Sequence, residues 1–221
     1  LRDFISDDNF IIYNGDVIAN INIFEAYKFH QQKKSLVTMI LHDYERFNKI
    51  SVNSDCRVVD LEQKLGVGLK PAQILAFTGI AIANKKIFDF LPKDKYKDIK
   101  DVYLDILRGK KSKLYGFVST NHYWRDIGTC KDYLSLHCDI LVNRKDVMVD
   151  FEMPEGSIFI GRNALVSDEA RFKGFVSIGH DCTVEACELE NCVILSKTLI
   201  RSGERLKNCV IGPDLLIKVE S

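Results

Sequence analysis

The sequence has no excess of charge of either sign, because 31 Lys and Arg residues balance 31 Asp and Glu residues. A general nucleic-acid-binding protein needs surplus positive charge to displace the counterions of phosphates, so the composition excludes that class. The longest apolar runs, residues 36–41 and 74–83, are well short of the roughly 20 residues that a membrane-spanning helix needs. The sequence therefore predicts no nucleic-acid partner and no membrane partner.

The given residues start at Leu1 instead of Met and contain no secretory-leader pattern. The seven cysteines are an odd number, which without a leader indicates reduced thiols in a cytoplasmic protein. A strand-like segment follows within a few residues of Leu1, so we expect the chain to be a piece of a longer protein or a cleavage product. Hydrophobic residues make up 46% of the chain, which is enough to predict a buried core.

Strand-like and helix-like segments alternate up to about residue 142. This pattern predicts a mixed α/β sheet with helices on its faces. The predicted strands are 10–13, 36–41, 74–83 and 114–118, with a hairpin over 51–61; the predicted helices are 22–33, a segment from Ile99 that ends at Gly109, and 130–142.

From about residue 157 the apolar period becomes six, slips once and resumes. A hexapeptide period is typical of a parallel β-helix, in which each repeat forms one side of a triangular coil. Polar residues 143–156, which include Pro154, separate the two patterns, so we predict domains over 1–144 and 157–221. The inward-facing residues are predicted to be Ile160, Val166, Phe172, Ile178 and Val184, then Ile194, Ile200 and Leu206.

Two short motifs are candidates for chemistry. Asn14-Gly15-Asp16 follows the first apolar strand, at the sheet edge where α/β proteins bind ligands. Trp124-Arg125-Asp126-Ile127-Gly128-Thr129 precedes the helix over 130–142. Each motif taken alone also fits a structural role, as a turn tripeptide or as a helix entry with Thr129 as the cap.

Together and in this order, the segments resemble the sugar-1-phosphate nucleotidylyltransferases, or nucleotide-sugar pyrophosphorylases. The segments that carry the resemblance are FIIYNGDVIANINI, CRVVDLEQK, LAFTGIAIANKKIFDFLP and GFVSTNHYWRDIGTCKDYLSLH. The resemblance covers nearly the whole chain. Within the family, the overall resemblance favours enzymes similar to mannose-1-phosphate guanylyltransferase. It implies that residues 1–144 are the C-terminal part of a Rossmann-like nucleotide-diphospho-sugar transferase domain, followed by a left-handed parallel β-helix.

The resemblance implies transfer of a nucleotidyl group with Mg²⁺. An oxygen of the sugar 1-phosphate would attack the α-phosphorus of a nucleoside triphosphate, and pyrophosphate would leave. Asp16 and Asp126 match the family's two catalytic metal carboxylates. Lys64 would contact the sugar phosphate, and Gly79 would let the sugar approach the backbone. The full set of implied substrate-binding residues is Asn14, Gly15, Gln63, Lys64, Thr78, Gly79 and Trp124.

The sequence departs from the family pattern at several positions. Gln63 stands where the family has Glu, while Leu65 and Cys130 stand where it has Pro. The Gly-Gly-x-Gly-Thr-Arg loop, whose backbone N–H groups hold the triphosphate, does not occur in the 221 residues. We therefore expect this chain to be inactive alone and to need the missing N-terminal segment of the same protein.

Other functions remain open on the sequence alone. One is a non-catalytic relative whose β-helix serves oligomerisation or regulation, and a homo-oligomer through the β-helix is expected in either case. A weaker one is an acyltransferase that uses His180 as a general base. We also expect residues 212–221 to cap the β-helix, and Cys192 to stack on Cys209, about one coil later.

Overall fold

The computed structural model describes residues 2, 4–66, 71–92, 95–109, 113–147 and 153–220. Its contacts divide the chain into two compact units. The first comprises Leu1–Val17 and Ile21–His122, and the second comprises Ile18–Asn20 and Tyr123–Ser221. The predicted domains over 1–144 and 157–221 stay a prediction, and the division by contacts falls after His122 instead.

The α/β elements begin within one residue of most predicted starts. The helix predicted over 22–33 is capped by Asn22, whose side chain accepts a hydrogen bond from the Glu25 N–H at 3.3 Å. In chain order the elements are β1 (Asn9–Tyr13), β2 (Val17–Ala19), α1 (Ile23–Lys33), β3 (Val37–His42), β4 (Asn48–Val52), β5 (Val58–Leu61), β6 (Gln73–Asn84), α2 (Ile99–Arg108), β7 (Leu114–Val118), β8 (Trp124–Asp126) and α3 (Cys130–Leu141).

The sheet of the first unit has the order β5-β4-β6-β3-β7, and β1 also pairs with β6. β3 runs parallel to β7, whereas β1, β3 and β4 run antiparallel to β6. Ala83 of β6 pairs with Phe10 on one side and with Val37 on the other, so β1 and β3 lie on opposite edges of β6. β4 pairs with residues 73–76 on the same edge as β1, and the two strands therefore follow one another along β6.

Helices cover both faces of this sheet. Val37, Met39 and Leu41 of β3 pack into one apolar core with α2. Thr38 points to the other face, because neighbouring residues of a strand alternate. Its hydroxyl lies 3.0 Å from Nδ1 of His30, a buried residue of α1. The prediction of a mixed α/β sheet with helices on both faces is therefore confirmed.

The second unit contains a parallel-strand solenoid of about three turns. One of its sheets has the order β16-β15-β13-β11-β9, and another has the order β10-β12-β14. All of these pairs are parallel except β15–β16, where the antiparallel β16 lies against the last coil, as predicted for residues 212–221. The strands are β9 (Ile158–Ile160), β10 (Leu165–Val166), β11 (Arg171–Ile178), β12 (Thr183–Val184), β13 (Glu188–Ile194), β14 (Leu199–Ile200), β15 (Arg205–Gly212) and β16 (Leu215–Lys218).

Strand pairing stacks the apolar residues of successive coils into columns. Leu189, which the six-residue step did not include, lies five residues after Val184 and five before Ile194. Two successive sides of the coil therefore have five residues instead of six, which accounts for the break in the six-residue period. Cys192 pairs with Cys209 as predicted. The columns are Ile160-Ile178-Ile194-Ile211, Val166-Val184-Ile200 and Phe172-Leu189-Leu206.

A column of alternating charge runs across the outside of the solenoid. Lys173 of β11, Glu190 of β13 and Lys207 of β15 are cross-strand neighbours. The Glu190 carboxylate accepts from Lys207 Nζ at 2.7 Å. Opposite charges on paired strands stabilise a sheet, and like charges directly opposite each other destabilise it.

We expect Glu190→Lys to lower the free energy of unfolding by about 1 kcal/mol, because it aligns three lysines. Glu190→Gln removes the attraction without adding repulsion, so its effect should be about half as large. Urea unfolding at low and at high NaCl measures both variants. A Glu190→Lys effect that persists undiminished in 1 M NaCl would contradict an electrostatic origin, because salt screens exposed charges.

Within the described part of the chain, no helix combines the length and the apolar character needed to cross a membrane.

Candidate active site

The segment Asn14-Gly15-Asp16 leaves the sheet where β1 ends on β6. The last strand pair joins Tyr13 to Ile80, and the Asn14 N–H then donates to the Gly79 carbonyl oxygen at 3.0 Å. The turn closes when the Val17 N–H donates to the Asn14 carbonyl oxygen at 3.3 Å. All three residues of the segment are exposed. The Asp16 carboxylate therefore lies on an open turn at the carboxyl end of β1, where the sequence placed it.

β6 is bulged beside this turn. Its register with β3 shifts so that Thr78, Gly79 and Ile80 together oppose Ile40 alone. The Thr78 hydroxyl donates to the Ile40 carbonyl oxygen at 2.9 Å and is fully buried. Bulges bend a strand and redirect its side chains, and they are common beside active sites. The hydroxyl of Thr78 thus holds the bulge, and its predicted contact with substrate stays a prediction.

Gly79 is needed for two reasons that the structure makes explicit. Its φ of +81° lies in the left-handed region, which residues with a Cβ rarely adopt. A Cβ added at Gly79 would also lie 2.9 Å from Asn14 Nδ2 and 3.1 Å from Asn14 Cβ. The family resemblance predicted that the missing side chain leaves room for a sugar. In the structure, the side chain of Asn14 packs into that room.

Gly79→Ala should destabilise the first unit more than a substitution that strains the backbone alone. Gly66→Ala is the matched control, because Gly66 also has a positive φ (+59°) but no atom of the described residues lies within 4 Å of an added Cβ. We expect the control to cost about 1 kcal/mol and Gly79→Ala about 1–3 kcal/mol more, through the clash with Asn14. Urea unfolding of both variants measures the difference, and equal losses would contradict the packing argument.

The turn after β5 holds the predicted lysine. Glu62 and Gln63 both have left-handed φ angles, 54° and 59°. The Glu62 carboxylate accepts from Lys64 Nζ at 3.1 Å and from Lys100 Nζ at 3.2 Å, and these hydrogen bonds lower the pKa of Glu62. Gln63 is exposed. The carboxylate that contacts Lys64 is therefore Glu62, one position before the place where the family has its Glu.

The second predicted carboxylate lies at the end of β8. Asp126 Oδ1 accepts from the Gly128 N–H at 2.9 Å, which shapes the loop into α3. Thr129 caps α3, since its hydroxyl oxygen accepts from the Asp132 N–H at 3.1 Å, as the structural interpretation predicted. Trp124 is half-buried in the same strand as Asp126, two residues away, and thus lies on the same face.

An ion pair that the sequence pattern did not predict fixes β8 to α3. Arg125 Nε lies 3.0 Å from Asp139 Oδ2, which also accepts from the Tyr123 hydroxyl at 2.9 Å. Asn143 Nδ2 donates to Asp139 Oδ1 at 3.0 Å. Burial by itself raises the pKa of Asp139, but the hydrogen bonds from Asn143, Arg125 and Tyr123 outweigh it and leave the pKa below its usual value. Neighbouring residues of a strand point to opposite faces, so Arg125 points away from Trp124 and Asp126. This alternation is the only feature of the sequence that could have indicated a structural role for Arg125.

Two histidines also lie at the carboxyl ends of the parallel strands β3 and β7. His42 ends β3, and its ring centroid lies 5.4 Å from that of His122, a few residues after β7. Tyr44 stacks on His42 at 5.6 Å. Burial first, and then the neighbouring His122, lower the pKa of His42 to about 4, although Asp43 acts in the opposite direction. His42 is therefore neutral at physiological pH.

Stability should fall as the pH drops from about 6.5 towards 4, because the pKa values of His30, His42 and His137 are each lowered to about 4 in the fold. Burial lowers the pKa of His30 to about 4, as it does for His42. The unfolded chain, with ordinary histidine pKa values near 6.5, binds more protons than the fold in this window, so acid favours unfolding. We expect a loss of roughly 1 kcal/mol per histidine at pH 5.5 relative to pH 7.5. Urea unfolding at several pH values measures this, with His30→Gln reducing the slope; a flat profile would contradict it.

His180 has a structural role between two coils of the solenoid. The His180 ring atom Nδ1 accepts a hydrogen bond from the Arg162 backbone N–H at 2.8 Å. The backbone N–H of His180 donates to the Ser196 hydroxyl oxygen at 3.1 Å. These contacts give His180 a structural role, so its presence in the solenoid does not require an acyl-transfer reaction.

The segments that carry the two carboxylates coincide with one family model. The family description is Nucleotidyl transferase, and the match covers residues 1–143, more than half of the chain. The chain belongs to the nucleotidyl transferase family. The predicted resemblance is therefore confirmed at the level of the family, whose members generally use a divalent metal.

The chain is similar to several named members of this family. It is 25% identical to a glucose-1-phosphate adenylyltransferase of Clostridium perfringens (strain 13), over 94% of the chain and 55% of that protein. It is 24% identical to a mannose-1-phosphate guanylyltransferase of Mycobacterium tuberculosis, over 94% of the chain and 56% of that protein. The chain thus spans about half the length of the relatives it matches. Because these relatives differ in sugar and in base, the lean towards the mannose enzyme stays a prediction.

Proposed function

We propose that this chain supplies the carboxylate and sugar-phosphate part of a sugar-1-phosphate nucleotidylyltransferase. The reaction joins a sugar 1-phosphate to a nucleoside triphosphate and releases pyrophosphate. The observation that carries the proposal is the position of the two residues that match the family's metal carboxylates: Asp16 lies in the turn between β1 and β2, and Asp126 is the last residue of β8.

Asp16 and Asp126 fit a magnesium ion better than a softer metal. Mg²⁺ prefers oxygen ligands and usually takes only one or two carboxylates from a protein, with substrate phosphates completing its shell. Among the described residues, no group of three or more His, Cys, Asp or Glu side chains is arranged to hold a metal. When bound, the ion would neutralise charge on the reacting phosphates.

The remaining predicted residues would bind and orient the sugar phosphate. Lys64 would exchange part of its contact with Glu62 for the phosphate, and Gln63 would offer an amide to the sugar hydroxyls. Asn14, held against Gly79, would offer its amide from a fixed position. Gly15, Thr78 and Trp124 are proposed to complete the substrate site, on the resemblance alone.

Turnover by these 221 residues alone is not expected. The family's Gly-rich loop binds the triphosphate, and no such pattern occurs in the sequence. We propose that a segment with that loop completes the site. The seven free cysteines suit a reducing compartment, and on that ground we propose that the protein works in the cytoplasm.

The proposal is tested by product identification. The protein as it occurs in its cells is incubated with Mg²⁺, each of four nucleoside triphosphates, and a panel of hexose and heptose 1-phosphates, and the mass of the product is determined. We expect one nucleotide sugar with an equal amount of pyrophosphate. Absence of a nucleotide sugar with every pair, in a protein that carries the Gly-rich segment, would refute the proposal.

A second candidate is a non-catalytic relative in which the solenoid mediates self-association. Gln63 favours this function, because an amide replaces the family's carboxylate at a sugar contact. Leu165 and Leu199 face outward on either side of Thr183 in one sheet of the solenoid, with 69% and 46% of their surface exposed, and offer two apolar side chains to a second copy. A stable dimer in sedimentation that makes no nucleotide sugar would favour this candidate.

A further inference from the structure

A cavity of about 350 Å³ lies at the amino-terminal end of β1 in the first unit. Asn9 and Asn84, which form one end of the β1–β6 ladder, both line it. The other end of the ladder is the pair Tyr13–Ile80, next to Asn14. Four residues of an antiparallel strand cover about 14 Å, so the cavity is separate from the Asn14-Gly15-Asp16 turn.

The lining of this cavity is strongly basic. Lys34 follows α1, Lys86 follows β6 and Lys113 precedes β7, so three separate segments each contribute a lysine. The described lining residues include no Asp or Glu. The carbonyl groups at the end of α1 would by themselves account for a lysine at position 34. They do not account for the other two.

A buried hydroxyl group lines the same cavity without a hydrogen bond. Ser35 is only 5% exposed, and its Oγ has no hydrogen-bond partner among the described residues. A buried polar group of this kind is unfavourable unless something satisfies it. An occupant of the cavity that accepts a hydrogen bond would do so.

Asn9 is oriented by its neighbours so that its amide nitrogen remains as a donor. Burial lowers the pKa of His30 to about 4, so the ring is neutral and carries one N–H. The Asn9 Oδ1 accepts from Asn84 Nδ2 at 2.9 Å and lies 3.2 Å from His30 Nε2, which makes Nε2 the protonated nitrogen. The oxygen of Asn9 is thus engaged on both sides.

We propose that this cavity binds a small phosphate-bearing anion. Lys34, Lys86 and Lys113 supply the positive charge, and Ser35 supplies a hydroxyl donor. A phosphate group carries more charge and more acceptor oxygens than a single carboxylate, and lysines bind it as point charges. Inorganic phosphate and the phosphoryl group of a sugar phosphate share this chemistry. The proposal does not depend on catalysis, because none of these residues belongs to the candidate active site.

Nuclear magnetic resonance titration of the ¹⁵N-labelled chain tests the proposal. The probes are inorganic phosphate and, separately, glucose 6-phosphate, at an ionic strength kept constant with NaCl. We expect saturable shifts of the backbone N–H signals around Lys34 and Ser35. Lys86→Gln and Lys113→Gln should each weaken binding about tenfold, the size of one lost charge-assisted hydrogen bond. Lys28→Gln, on an exposed lysine of α1 that stacks over Phe24, should leave binding unchanged.

Ser35→Ala separates binding from folding. Because its hydroxyl makes no hydrogen bond within the described structure, the substitution should leave the Tm without phosphate unchanged or raise it. It should nevertheless weaken phosphate binding severalfold. Saturation by inorganic phosphate shows that the free ion suffices, and saturation by glucose 6-phosphate alone shows that a phosphate ester is required. No saturable shift with either probe, or equal affinity in Lys86→Gln and Lys113→Gln and the unsubstituted chain, would overturn the proposal.

Discussion

Asp126→Asn and Asp16→Asn should each lower the rate of nucleotide-sugar formation by at least about a hundredfold, the scale on which removing a group that stabilises transition-state charge acts. An amide keeps the shape of the carboxylate but not its charge, so each substitution would remove one of the two carboxylates proposed to bind the metal. The loss should appear in kcat at saturating substrate. Higher metal concentration should restore part of it.

The design of these variants keeps the fold intact. In Asp126→Asn, the amide oxygen of the new side chain can still accept the hydrogen bond from the Gly128 N–H, and position 16 is exposed. Asp55→Asn, in the exposed hairpin turn between β4 and β5, is the matched control and should retain full activity. If both active-site variants keep activity close to that of the wild type, neither aspartate is a metal ligand.

Asp139→Ala should lower the free energy of unfolding by about 3–5 kcal/mol, because it leaves the Arg125 guanidinium half-buried without its anion. The Asp139 side chain is 11% exposed and that of Arg125 is 28% exposed, so solvent compensates only in part. The Tyr123 hydroxyl and the Asn143 amide lose their acceptor as well. Because Arg125 lies between Trp124 and Asp126, we also expect a lower kcat through misplacement of β8.

A double-mutant cycle isolates the ion pair from its neighbours. Arg125→Met with Asp139→Leu replaces both charges by apolar groups of similar size, and such replacements are often close to neutral. We therefore expect the double variant to be more stable than Asp139→Leu or Arg125→Met alone. Additive losses measured by urea unfolding would contradict the coupling of the two side chains.

Local sequence signals predicted the elements that depend on local chemistry. The side chain of Asn22 caps α1, and the Asn53 side chain accepts from the Asp55 and Arg57 N–H groups at the turn of the predicted hairpin. The apolar period predicted the solenoid, since stacked columns need an apolar residue at each corresponding position. The family resemblance predicted Asp16 and Asp126 as the metal carboxylates, and their role stays a prediction.

Interactions between distant residues were not predictable from periodicity. The β6 bulge depends on how β3 and β6 pair, and only that pairing shows that the Thr78 hydroxyl is used inside the sheet. Leu189 breaks the six-residue step, so the period alone could not place it. Arg125 and Asp139 are 14 residues apart, and no spacing rule joins a strand residue to the buried side of the next helix.

The most direct test of the account combines intact-mass analysis with pyrophosphate release on the protein isolated from its own cells. The central claim is that Asp16 and Asp126 serve a metal-dependent nucleotidyl transfer that also needs a Gly-rich segment. We expect a Gly-rich segment in the isolated protein, and pyrophosphate release that requires a sugar 1-phosphate, stops with EDTA and resumes with Mg²⁺. Release by the 221-residue chain alone would contradict the need for that segment, and no release when the segment is present would contradict the enzymatic function.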